Sequence, residues 1–192
     1  MRNIDHFVAG GTLASGERHG DVFDPNNGGV QAKVGLGTAA DLDKAVAIAA
    51  DGGFYQTGQR CTASSRVIVE DAIHDRFVAA LAEKARGLKV GPALAEGTQV
   101  GPASSEAQLD QNMSYVGIAT GEGGRLAAGG DKVSVDTPGF FMQPTLIADT
   151  NPDMRINCEE VFGPVVSTIR ARDYDHALEI ADVPGAVGDD PG

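Results

Sequence analysis

Apolar positions recur along this chain with two different periods, and the change between them marks its organisation. Val30-Gln31-Ala32-Lys33-Val34 alternates apolar with polar, the two-residue period of a half-buried strand. It closes a strand meander predicted over residues 6–36. There His6-Phe7-Val8-Ala9 breaks at Gly10-Gly11, and Asp21-Val22-Phe23 runs into the turn Asp24-Pro25-Asn26-Asn27-Gly28-Gly29. From Asp41 the spacing changes. Leu42, Ala45, Val46 and Ala49 fall on one helical face, and Thr38 with Asp41 gives a box-like start. The pair Gly52-Gly53 is predicted to end this helix at a left-handed cap.

Beyond residue 66 the two periods alternate. Arg66-Val67-Ile68-Val69-Glu70 is rich in β-branched residues and predicts a strand. Ile73, Phe77, Leu81, Ala85 and Leu88 mark a helix with one apolar stripe, stopped by Val90-Gly91-Pro92. A second helix follows Gly101-Pro102, with Ser105 and Gln108 as a capping-box pair and Leu109, Asn112, Met113, Val116 and Thr120 facing inward. Gly121-Glu122-Gly123-Gly124 terminates it. Further strands are predicted over 125–128, 140–147 and 162–169, and Asp173 opens a short helix. The alternation argues for an α/β fold, a largely parallel sheet flanked by helices. A β-rich segment at 1–40 would precede a main domain over 41–182, with a loose tail at 183–192.

Composition narrows the trade. The 192 residues, 42% of them hydrophobic, suffice for one domain or a large domain with an appendage. A net charge of −12 repels phosphate backbones and anionic lipid, which argues against nucleic-acid binding. No apolar run approaches a membrane span, and the polar start is unlike a secretory signal. Two cysteines, Cys61 and Cys158, make neither a disulfide framework nor a zinc site, so no metal is expected and the setting reads as reducing and cytoplasmic.

Cys61 is the candidate for chemistry. It sits in Gly58-Gln59-Arg60-Cys61-Thr62-Ala63-Ser64-Ser65-Arg66, between a helical and a strand pattern. Positive charge from Arg60 and Arg66 would favour thiolate over thiol, and the thiolate is the form that attacks carbonyl carbon. Cys158, beside Glu159 and Glu160, stands in the opposite field and should alkylate more slowly. Gly35-Leu36-Gly37-Thr38-Ala39-Ala40 matches G-x-G-x-x-A between a strand and a helix. No second parallel strand ending in an acid follows that helix, so the segment reads as a plain tight turn.

The Gly58-Gln59-Arg60-Cys61-Thr62-Ala63 segment resembles the nucleophile segment of the aldehyde dehydrogenase superfamily. Other pieces follow in the family's order: Ser65-Arg66-Val67, Val100-Gly101-Pro102, Glu122-Gly123, Gly129-Gly130, Gly139-Phe140-Phe141, Pro144-Thr145-Leu146 and Glu159-Glu160-Val161-Phe162-Gly163-Pro164-Val165. The first and last are highly specific, and the likeness covers about residues 41–182. The Cys61 segment and Arg170-Ala171-Arg172-Asp173-Tyr174 lean toward semialdehyde-oxidising branches. The start, around His6-Phe7-Val8 and Val22-Phe23-Asp24-Pro25, looks more like methylmalonate-semialdehyde dehydrogenases. The resemblance implies that Cys61 attacks a small aldehyde or semialdehyde to give a thiohemiacetal, that hydride leaves to NAD or NADP, and that water hydrolyses the thioester. It implies that Glu160 and Phe162 touch the cofactor's nicotinamide ribose.

The departures from the family pattern matter as much. The Leu-Gly-Gly-Lys-type segment with the general-base glutamate does not occur here, nor does the Pro-Trp-Asn-type segment whose asparagine helps hold the oxyanion; the chain has no Trp. The nucleotide-binding domain is mostly absent, as is the part carrying the oligomerisation strand. The 41–50 helix resembles both the family's first helix and the one leading into the catalytic cysteine, as an internal deletion between them would leave it. One oxyanion donor is typically worth about 2.7–4 kcal/mol and a general base about 10²–10⁴-fold. The chain alone is therefore expected to turn over poorly or not at all. Three roles remain open: a weak dehydrogenase, a binding or regulatory subunit of a full-length relative or a homo-oligomer, and a Cys61 esterase that needs no nicotinamide.

Overall fold

The computed structural model describes residues 2–4, 6–8, 11–13, 19–24, 28–35 and 39–182. The predicted cap at Thr38, the centre of the 35–40 turn, Gly10 of the Gly10-Gly11 break, residues 25–27 of the 24–29 turn, and the tail at 183–192 lie outside the described residues. The chain divides into two compact units, residues 1–48 and 49–192.

In the first unit the strands are β1 (Arg2–Ile4), β2 (His6–Val8), β3 (Gly11–Leu13), β4 (His19–Phe23) and β5 (Val30–Gly35). β4 pairs antiparallel with β5, while β1 lies parallel on its other side, Ile4 opposite Val34. β2 and β3 form a separate antiparallel pair. The alternation along β5 holds where it is described: Ala32 is buried, and Gln31 and Lys33 are exposed. β1 and β3 were not expected. Arg2-Asn3-Ile4 has no period of its own, and its partner is a strand nearly thirty residues later.

The helix predicted to stop at Gly52-Gly53 runs on: α1 spans Ala39–Phe54. The glycines are there for packing. A Cβ on Gly53 would overlap the Val166 side chain and come within 3.1 Å of the Ser64 carbonyl. The cost of glycine inside a helix, about 1 kcal/mol against Ala, is offset by that close approach.

The second unit is built on a four-stranded sheet in the order β6-β9-β8-β7, where β6 is Arg66–Glu70, β7 Arg125–Ala128, β8 Thr145–Thr150 and β9 Val165–Ala171. β6, β9 and β8 are mutually parallel and β7 is antiparallel to β8, so the sheet is mostly parallel, as expected. Two strands are shorter at their N-terminal ends than predicted. Residues 140–144 lie outside the ladder except for a bridge from Met142 to Lys132, and Phe162 precedes β9 with a φ of 55° that no strand accommodates.

Helices α2 (Asp71–Arg86), α3 (Glu106–Gly121) and α5 (Tyr174–Asp182) cover the sheet. α2 buries Phe77, Leu81 and Ala85 from the predicted stripe, and the stripe's Leu88 is buried just past the helix end; Ile73 is exposed and His74 is fully buried instead. On α3, Leu109, Asn112 and Val116 are buried as expected. Thr120 points outward, its hydroxyl returned to Val116 O, and Ala119 takes the inner position. One core cluster joins Leu109, Val116, Ile147, Ile156, Val161 and Val165, each such burial worth about 1.5–3 kcal/mol. Among the described residues no helix is long and apolar enough to cross a membrane.

Candidate active site

After α1 the backbone does what L-residues resist. A single 3₁₀ turn, Tyr55–Gly58, carries Gln56 (φ 54°, ψ 31°), Thr57 (φ 61°, ψ 21°) and Gly58 (φ 64°) in the left-handed region. This winds the chain out of α1 and releases residues 59–65 as a loop before β6. Gly58 is packed against the opposite wall, where a Cβ would overlap the Gly163 carbonyl. Only glycine fits both the φ and the approach.

Cys61 is exposed in this loop, in a turn closed by Ala63 N donating to Arg60 O at 3.0 Å. The two flanking guanidiniums are engaged with main chain. Arg60 Nη2 donates to the carbonyls of Gly52 (2.9 Å) and Asp51 (3.2 Å), capping the last turn of α1. Arg66 Nη1 donates to Asn157 O at 3.2 Å, drawing the start of β6 toward the facing segment. The Gln59 amide pairs with Ser104 twice: Ser104 N donates to Oε1 at 3.0 Å, and Nε2 donates to Ser104 Oγ at 3.2 Å.

The facing segment begins with a one-turn helix, α4 (Arg155–Cys158), that the sequence pattern did not reveal. Arg155 donates from Nε and Nη2 to the two Glu159 oxygens at 2.7 and 2.9 Å, and Tyr115 Oη donates to Glu159 at 2.6 Å. These partners, Arg155 first and Tyr115 second, lower the Glu159 carboxyl to about 2, and the same carboxylate raises the Tyr115 phenol. Glu160, next in the chain, is exposed; Phe162 is half-buried in its left-handed conformation. Cys158 is also half-buried, its thiol donating to Pro152 O at 3.2 Å.

Both walls enclose a cavity of about 270 Å³ whose lining includes Cys61, Arg60, Arg66, Cys158, Glu160 and Phe162. The three residues singled out in the sequence thus share one cavity, although Cys61 and Glu160 lie on separate segments. Two other concavities, of about 310 and 430 Å³, flank α2 near Arg125 and Gly129 and are lined by no cysteine. The sequence reading missed the Gln59–Ser104 pairing, which has no local signal across 45 positions. It also missed Arg155–Glu159, which the i,i+4 spacing did offer.

Residues 26–183 match the model of the aldehyde dehydrogenase family. The chain belongs to that family. Among curated relatives, this aldehyde dehydrogenase family member is 45% identical over 146 residues to an alpha-ketoglutarate semialdehyde dehydrogenase of Haloferax volcanii, covering 74% of this chain and 30% of that protein. It is 42% identical over 139 residues to a betaine aldehyde dehydrogenase of Cereibacter sphaeroides, covering 72% and 28% respectively. Among solved structures, a Mycobacterium tuberculosis aldehyde dehydrogenase complexed with NAD+ superposes with a TM-score of 0.72 at 34% identity, over 75% of this chain and 30% of that one. The chain therefore spans a little under a third of the length of these relatives.

Proposed function

We propose that this chain carries the thiol part of an aldehyde dehydrogenase site, oxidising a small aldehyde, a semialdehyde in particular, to a carboxylate with NAD or NADP. The observation that carries the reading is Cys61, exposed in a loop and lining the cavity that Glu160 and Phe162 also line. The Cys61 thiolate adds to the carbonyl carbon, forming a C–S bond as the π pair moves to oxygen. Collapse of this thiohemiacetal expels hydride and leaves a thioester on Cys61. Water then breaks the C–S bond, releasing the carboxylate and restoring the thiol. A nicotinamide dinucleotide, when bound, supplies the hydride acceptor.

Of the acidic pair, Glu160 is the side chain that would hold that cofactor's ribose. Glu159 has both oxygens taken by Arg155 and Tyr115, so Glu160 is the carboxylate that would be available for two vicinal hydroxyls, and Phe162 lines the same cavity. The semialdehyde preference rests on the Haloferax relative's name and on Arg60 and Arg66 in the cavity lining. In this reading residues 41–182 form the catalytic part, preceded by the β-rich 1–40 and followed by the 183–192 tail, and the protein works in the cytoplasm.

A second reading gives the same fold a different role. Here the chain is a binding or regulatory subunit, pairing with itself or with a full-length relative. One experiment separates them. The purified chain, alone and mixed with a full-length relative, is offered a small semialdehyde with NAD or NADP, and absorbance of the reduced nicotinamide is followed. A rise that Cys61→Ser abolishes supports the enzyme; no rise under any combination, with co-elution in size-exclusion chromatography, supports the subunit.

A further inference from the structure

Three non-glycine residues beside the cavity hold left-handed backbone: Gln56 and Thr57 on the Cys61 side, and Phe162 on the Glu160 side. Such backbone is strained in an L-residue and persists only where its surroundings over-determine it. Both strained segments are tied to the same place. On one wall the Gln59 amide grips the Ser104 N–H and hydroxyl at 3.0 and 3.2 Å. On the other, Gln108 Nε2 donates to the carbonyl of Val161, the residue before Phe162, at 3.0 Å. Between Ser104 and Gln108 stands Ser105, whose Oγ accepts the Gln108 N–H at 3.1 Å and caps α3. Deeper along the same helix, the buried Asn112 amide lies against Gly163, where a Cβ would overlap it.

We infer that the start of α3, from Ser104 just before the Ser105 cap to Gln108 in the first turn, is the element that positions the Cys61 thiol: the loop grips it through Gln59, and it holds Val161 through Gln108. The inference rests on the proposed reading of Cys61 as nucleophile. The left-handed turn at 56–58 sets where the loop leaves α1 but not where it goes next. Arg60 fixes it to the α1 carbonyls, and the Gln59 amide, two residues before the sulfur, fixes it to α3. Because the same stretch holds Val161, a shift of α3 moves both walls together and keeps their separation. Gln59 and Gln108 are positioning residues: their bonds go to the protein's own backbone and side chains.

The test uses the full chain and the variants Gln59→Ala, Gln59→Glu and Gln59→Asn. Three quantities are followed: hydrogen exchange at the Ser104 amide, pre-steady-state acylation of Cys61 by 4-nitrophenyl acetate, and iodoacetamide alkylation of Cys158 as a check on folding. Gln59→Ala is expected to speed Ser104 exchange and to lower the acylation rate constant roughly tenfold at unchanged half-saturation, since small misplacements of a reacting group cost rate rather than binding. Gln59→Glu keeps the Oε1 acceptor, and the Ser104 hydroxyl can reverse to donate, so it should return most of the rate. Should Gln59→Ala unfold, shown by faster Cys158 alkylation, Gln59→Asn carries the test; it keeps the amide but falls a methylene short, and the same loss is expected.

Wild-type acylation in folded Gln59→Ala or Gln59→Asn, or equal loss in the Ala and Glu variants, overturns the inference. A wild-type chain that is never acylated overturns the reading of Cys61 as nucleophile. The clamp is then decided by Ser104 exchange alone, and unchanged exchange in Gln59→Ala overturns it.

Discussion

Gly58 and Gly163 meet so closely that a Cβ on the first would overlap the carbonyl oxygen of the second. This is where the loop bearing Cys61 and the segment bearing Glu160 touch. Gly58→Ala must place an L-residue at φ 64°, costing about 1–2 kcal/mol by conformation alone, and then push the walls apart. The expected outcome is a loss of at least about 3 kcal/mol in stability, read from the urea midpoint, together with loss of Cys61 acylation. Wild-type stability in Gly58→Ala would refute the contact.

Ser105 is the one α3 cap visible from both sequence and structure. Ser105→Ala leaves the Gln108 N–H without its acceptor and should cost about 1 kcal/mol, while Ser105→Asp should retain most of it. Urea unfolding of the two variants checks this.

Hydrogen bonds from Arg155 and then Tyr115 hold the Glu159 carboxyl at about 2 in the folded chain, well below the usual carboxylate range, so folding favours its ionised form. Its contribution to stability is fully present above about pH 4.5 and is lost as pH falls from there toward 2. Thermal melts between pH 6 and pH 2 should show a steeper acid decline for the wild type than for Glu159→Gln. Added salt should narrow the gap, since the Glu159 side chain is 38% exposed. Identical acid slopes would mean that Arg155 and Tyr115 do not hold the carboxylate in solution.

The two thiols should differ in rate. Cys61 is exposed, whereas Cys158 is half-buried and donates to Pro152 O. Iodoacetamide should label Cys61 several-fold faster, as resolved by peptide mass spectrometry at short times. Equal rates would remove the argument from exposure.

Much of the architecture is written in local pattern. The β-branched run at Arg66–Glu70 and the Ser105 cap show in residue type and short spacing alone. What the pattern misplaced depends on partners far along the chain. Gly52-Gly53 looks like a helix end, yet it is a seat for Ser64 and Val166. Phe162 looks like the first residue of a strand, yet its backbone is turned left-handed where the following Gly163 packs against Asn112.

The site divides the same way. Cys61, Glu160 and Phe162 could be singled out because motif chemistry and family likeness are carried in short segments, and the structure places all three on one cavity. The partners that hold those segments were not. The Ser104 that grips Gln59 and the Asn157 carbonyl that receives Arg66 are 45 and 91 positions from their partners. The α4 turn is too short to show a period, and it supplies the Arg155 that occupies Glu159.

The strand order has a consequence for how the molecule comes into being. β9 lies between β6 and β8, and Ser167 on β9 bonds to Ser65, 102 residues earlier. Such distant parallel pairing must overcome loop-closure entropy before it is rewarded. During synthesis β6 therefore emerges long before the strand that pairs with it, and its apolar faces wait uncovered while α2, α3 and β8 are made. A nascent chain arrested before residue 165 has the thiol but no completed sheet beneath it, the state in which this molecule is most open to aggregation and to chaperone capture.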